Sequence, residues 1–284
     1  MHPLDGPLAR IDRAGSQIVT LRQRFEEFFR ENLYEIGVAE YNPKAKNYSL
    51  RVTGGPQEFP VDWSLLIGEI AHNLRAALDG LAWQLALQGT IEPYDQTAFP
   101  IYLRGTTTRR RKGHLLPHFW GKAYGPRRIQ SIPRRLWKRI ESFQPYKRGN
   151  GGRRSPLFRL EELNNTDKHR LVTVLVTAPA TLQFSGLSGG THFKTGMTLS
   201  ANAKIGWVKD VPPNEPGPGR GAIYMLDLAT GELLEPEMQV NVKVAPGVLF
   251  GDTCQAVKRL PVIRTLERIA EQVSSIVDSF AGEF

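Results

Sequence analysis

The chain has 284 residues, 40% hydrophobic and 23% charged, ordinary proportions that exclude wholesale disorder and allow one large domain or two smaller ones. No apolar run of about 18 residues occurs, which excludes a transmembrane helix, and residues 1–15 lack the apolar stretch of a secretory signal. The net charge of +9 is uneven: residues 104–159 hold 17 Lys or Arg against one acid, Glu141, a balance of +16, while the other 20 basic and 27 acidic residues leave −7.

Ile11, Ala14, Ile18, Leu21, Phe25 and Phe28 recur at three and four, so residues 8–33 are predicted as an amphipathic helix. Residues 34–41 and 47–54 read as a β-hairpin. A second helix is predicted over 62–87, with Leu66, Ile70, Leu74, Ala77, Leu78, Leu81 and Leu85 on one side. Residues 97–102 read as a short extended piece, and Pro133 opens a helix that reaches Phe143. A third long helix is predicted from Pro156 to about Val176. Strands are expected at 181–184, 192–200, 204–209, 222–228 and 238–244, with a Pro/Gly-rich turn at 211–219. Residues 262–280 return to helical spacing. Four amphipathic helices can hide their stripes only against one another. The expected fold is therefore α+β: a four-helix-type bundle (residues 1–176 and 259–284), a hairpin after its first helix, and an antiparallel β insertion at 180–257. The one cysteine, Cys254, has no disulfide partner and follows an apolar run, as a buried thiol would. A soluble, cytoplasmic chain is the expectation.

On a helical wheel of about 100° per residue, His72, Arg75, Asp79 and Trp83 fall opposite the leucines of the second helix. They form either a solvated face with an Arg75–Asp79 ion pair or one wall of a cleft, and Trp83 favours cover. In the third predicted helix, Asn164 and Asp167 lie within the stripe of Leu157, Leu160, Leu163, Leu171, Val174 and Leu175, with Lys168 at its edge. A carboxylate there needs a cationic partner, for which Arg75 and His72 are candidates. Asn164, Asp167 and Lys168 are thus either a structural polar network or part of a polar cleft. If the cleft is catalytic, His72, Arg75, Asp79 and Asp167 would carry it. His114, His118 and His192 lack metal-ligand spacing, so neither a metal nor a cofactor is expected. Arg109, Arg110, Arg111, Lys112, Arg127, Arg128, Arg134, Arg135, Lys138 and Arg139 are interleaved with Phe119, Trp120, Tyr124 and Trp137. Cations neutralise phosphates and aromatic faces stack on bases, so RNA or DNA is the expected partner, with another anionic partner or a plain solvated loop as the alternatives. Arg135 and Arg139, four apart, would share a face as a phosphate track.

Two stretches carry a resemblance: residues 72–83, HNLRAALDGLAW, and 163–170, LNNTDKHR, with Phe99-Pro100-Ile101 and Gln144-Pro145-Tyr146 between them. This ordered set resembles a family of uncharacterised bacterial proteins, frequent in actinobacteria, with the pattern HNLRxALDxLxxxL, FPI, QPY, LNxxDKHR. Members often carry His at the position of Gly80, which gives an Arg-x4-His arrangement similar to that of HEPN-type helical ribonucleases. Those act at RNA phosphodiesters without a metal, usually across a homodimer. The resemblance implies that Arg75 keeps its role while Gly80 removes the histidine, leaving an inactive copy or one that uses His72. Three functions follow as expectations: nucleic-acid binding, in defence or stress response; a HEPN-like ribonuclease; and a non-catalytic interaction module built on the β insertion.

Overall fold

The computed structural model describes residues 2–32, 35–42, 47–54, 59–105, 110–111, 114–115, 119–120, 125–177, 180–185, 198–199, 204–205, 225–226, 233–234, 239–244 and 247–284. The fold is α+β and divides into two compact units. One comprises residues 1–25, 60–175 and 249–284; the other comprises 26–59 and 176–248. The expected division differs in two places: the hairpin and its lead-in, 26–59, go with the second unit, and residues 249–257 go with the first.

The part of α1 (Asp5–Glu31) in the first unit, residues 5–25, buries Ala14, Ile18, Leu21 and Phe25 at the expected spacing. It runs antiparallel to α2 (Val61–Ala86). Pro7 lies against Gly80, Gln17 exchanges hydrogen bonds with Glu69 and Asn73, and the Phe25 ring meets Trp63 edge-on at 4.5 Å. The middle of α2 buries one apolar stripe: Ile67, Ile70, Leu74, Ala77, Leu78, Leu81 and Leu85 are fully enclosed. Two short helices follow, α3 (Gly125–Ile129) and α4 (Arg134–Ser142), then a 3₁₀ segment, Pro145–Arg154. The last long helix, α6 (Val262–Ser279), buries Val262, Leu266, Ile269, Val273, Ile276 and Val277. Helices α2, α6 and α5 (Pro156–Asp167) pack on one another. Cys254 is buried, as expected of an inert thiol. Among the described residues no helix is long and apolar enough to cross a membrane.

The third predicted helix is shorter than its periodicity implied. Ser155 starts α5, its Oγ accepting the Phe158 N–H at 3.2 Å, but the helix ends at Asp167 and Val174–Thr177 is extended. Val172, Thr173, Val174 and Val176 explain the change, since β-branched residues favour strand over helix. Leu171 and Leu175 are exposed rather than part of a buried stripe.

In the second unit, Glu35–Asn42 and Asn47–Gly54 pair antiparallel, and Lys204–Ile205 adds to the latter. Ala180–Ser185 pairs with Gln239–Val244 and with Thr198–Leu199, and Met225–Leu226 pairs with Leu233–Leu234. The predicted turn 211–219 and His192 lie outside the described residues.

Candidate functional site

Arg75 is the organising residue. Only 6% exposed, it sits on α2 with its guanidinium turned toward the Phe99 segment and α5. Nη2 donates to Asp79 Oδ1 at 2.9 Å and to the Phe99 carbonyl at 2.7 Å. Asp79 Oδ1 also accepts the Phe99 N–H at 3.0 Å, so both polar groups of this residue's backbone are held by one ion pair. Nη1 lies 3.2 Å from Glu161 Oε2, yet neither atom makes a hydrogen bond. Buried donors and acceptors are nearly always satisfied, so this ion pair without a hydrogen bond marks a site of incomplete bonding.

Around this cluster is a cleft of about 180 Å³. His72, Arg75, Ala76 and Asp79 of α2 form one wall, and Glu161, Asn164, Asn165 and Lys168 the other. Arg128 of α3 completes the lining, bringing the basic segment to the same opening. Three fixed cations face two carboxylates. Burial pushes the Asp79 carboxyl above the usual carboxylate range; Arg75 and then the Phe99 N–H oppose this without cancelling it. Burial likewise raises the Tyr102 phenol, against the pull of Arg128.

Of the residues singled out in the sequence, His72, Arg75, Asp79, Arg128, Asn164 and Lys168 meet in this cleft. Glu161 and Asn165 were not singled out, although Glu161, Asn164, Asn165 and Lys168 have the three, four and seven spacing of one helix face. Trp83 is 41% exposed and, among the described residues, is not part of the cleft lining. A Cβ on Gly80 would meet Pro7 at 3.5 Å, so this position faces α1 rather than the cleft.

Asp167 meets its expectation in part. At the last position of α5 it is part-buried and, among the described residues, forms no ion pair; Arg75 is taken by Asp79 and Glu161, and of the two candidate partners His72 is the one that acts on it. Its carboxylate lies over Gly68, where a Cβ would come within 2.0 Å of Oδ1. Burial pushes its pKa up, His72 opposing and Glu69 adding to the shift. A carboxyl raised in the folded state binds its proton more tightly there, so stability falls as pH rises from the ordinary value through the raised one. Asp167→Asn should therefore melt above the wild type at pH 7 and level with it at about pH 3, below the ordinary carboxylate range. A variant that melts lower at pH 7 would mean that the charged form is stabilising.

In the basic segment, Arg109 and Lys112 lie outside the described residues, and Arg110–Arg111 pairs antiparallel with His114–Leu115. The Arg127 carbonyl accepts the Tyr94 hydroxyl, and Arg134 lies 5.8 Å over the Trp137 ring. Lys138 is exposed. Arg135 and Arg139 do share a face of α4, but it is not an open track: both bind Glu283, Arg139 at 2.6 Å. Hydrogen bonding from Arg135, and the nearby Arg139, hold Glu283 below the usual range. Glu141 gathers Tyr146, Lys147 and Trp120. Burial would raise its carboxyl, but the hydrogen bonds from these three outweigh it and leave it lowered.

Among the described residues no group of His, Cys, Asp and Glu could hold a metal ion. No family model, no curated protein and no solved structure matches the chain.

Proposed function

We propose that the protein binds a nucleic acid, RNA or DNA, by receiving one backbone phosphate in the cleft around Arg75 while the basic segment 104–159 neutralises its neighbours. One observation carries this reading: Arg128, from the basic segment, faces the same cleft as Arg75, His72 and Lys168. A guanidinium presents planar N–H donors that match phosphate oxygens, and Arg75 is pre-set by Asp79 and Phe99 with an N–H on Nη1 unused. Three cations against two carboxylates leave one net positive charge, suited to a single phosphodiester. The rest of the affinity comes from charge outside the cleft and depends on salt. In this reading α1, α2, α5 and α6 form a four-helix-type bundle that presents the cleft, and the protein acts in the cytoplasm, in defence or stress response.

The test is fluorescence anisotropy of a labelled single-stranded oligonucleotide across a salt series. Binding should weaken steeply with salt, and Arg128→Gln and Lys168→Gln should each weaken it and lower the log–log salt slope by about 1. Binding that ignores both substitutions would remove the cleft from the interface.

A second reading is metal-independent cleavage of an RNA phosphodiester, favoured by His72 lying in the same cleft as Arg75. Arg75 would stabilise developing charge and His72 would move the proton. Single-turnover cleavage in EDTA that disappears in His72→Ala, with binding intact, would establish it.

A further inference from the structure

A second cationic cluster lies away from the cleft. Arg159 and Glu161 are two apart on α5, roughly 200° around the helix, so Arg159 faces away from the cleft wall. Its side chain is part-buried, and Nε is enclosed without a hydrogen-bond partner. α5 packs on α6 and on the 3₁₀ segment, and Arg268 of the one and Arg154 of the other act on Arg159 with charge of its own sign. Among the described residues none of these three arginines forms an ion pair. Arg148 of the same 3₁₀ segment donates to Gln272 Oε1 at 3.0 Å, and Gln272 is one turn beyond Arg268, which brings a fourth guanidinium to this side of α6. Glu161 belongs to the cleft, and its neighbour Glu162 is acted on by Arg153.

Like charges gathered at a part-buried guanidinium oppose folding unless something neutralises them. An unused, enclosed N–H needs an acceptor. Both demands are met by one ligand: a tetrahedral oxyanion, whose several oxygens accept from more than one guanidinium at once. We infer that Arg154, Arg159 and Arg268 form a second anion site, separate from the cleft, that takes a phosphate group. The group comes from free phosphate or from the backbone of a bound strand.

Thermal melts of the full chain separate these cases. Wild type, Arg268→Gln, Arg159→Gln and the cleft variant Arg128→Gln are melted in phosphate-free buffer, with inorganic phosphate, and with a short single-stranded oligonucleotide. Without anion, Arg268→Gln should melt at or above the wild type, because one repelling charge is gone. With anion, the order should reverse, and Arg268→Gln should bind phosphate or oligonucleotide about 10-fold more weakly. Arg128→Gln should keep the wild-type stabilisation by inorganic phosphate, which distinguishes this site from the cleft. Reversal with phosphate assigns a free-anion site, and reversal with the oligonucleotide alone assigns a strand-backbone site. Arg268→Gln melting below the wild type by the same gap in all three buffers would overturn the inference, as would melts that neither anion moves. Arg159→Gln, if it folds, should follow Arg268→Gln.

Discussion

Arg75→Met should lower stability by about 3 kcal/mol at pH 7 and abolish binding at the cleft. Removing one member of a buried ion pair costs ~3–5 kcal/mol, because the charge left behind has neither partner nor water. The lower end applies here, since the Asp79 and Glu161 side chains are 36% and 25% exposed and so keep some solvation. The Phe99 carbonyl also loses its donor. The pH dependence identifies the cause. Without Arg75 the Asp79 carboxyl, already raised by burial, loses the charge that most opposes the shift and rises further. The variant should therefore regain stability relative to the wild type as pH falls through the carboxylate range, where the stranded charges are neutralised. Arg75→Lys keeps the charge but not the planar fork and should fall between the two. Urea denaturation at pH 7 and at about pH 4 measures both effects. A loss of ~0.5 kcal/mol or less for Arg75→Met would mark the pair as an ordinary surface ion pair and remove the basis for a preorganised cleft.

Helices α1, α2 and α6 were legible because three-and-four spacing reflects local geometry and each had one continuous stripe to bury. The same criterion overran α5, since Leu171, Val174 and Leu175 keep the helical period while their β-branched neighbours select strand. That overrun put Asp167 inside a stripe it only terminates; of its two candidate partners, Arg75 belongs to Asp79 and Glu161, while His72 acts on it. The wheel set Arg75 opposite the leucines but could not show it buried, because its cover comes from Phe99 and Glu161, far along the chain. Likewise, nothing local to α4 reveals that Arg135 and Arg139 are held by Glu283. Three of the four motif stretches are joined by hydrogen bonds: Arg75 and Asp79 hold the backbone of Phe99, and Gln144 holds that of the two residues flanking Ile101.

Gln144→Leu should cost about 3 kcal/mol and loosen the cleft from a distance. Gln144 is 1% exposed and uses both ends of its amide. Oε1 accepts the Tyr102 N–H at 3.0 Å, and Nε2 donates to the Pro100 carbonyl at 2.7 Å and to the Ile140 carbonyl at 3.3 Å. Leucine fills a similar volume but leaves the Tyr102 N–H and the Pro100 carbonyl unpaired, at ~1–3 kcal/mol each. The segment they anchor ends at Phe99, which Arg75 holds, so the guanidinium loses part of its support and oligonucleotide binding should weaken with it. Gln144→Glu separates this account from a simple packing defect. A buried carboxylate cannot donate to Pro100, whereas the protonated acid can, so its folded pKa must lie above the unfolded value. Its stability should then be closest to the wild type at low pH and fall as pH rises through the raised pKa. Denaturation of both variants between pH 4 and 8 reads this directly. A Gln144→Glu deficit that does not change with pH would show that the amide's hydrogen bonds do not hold the segment.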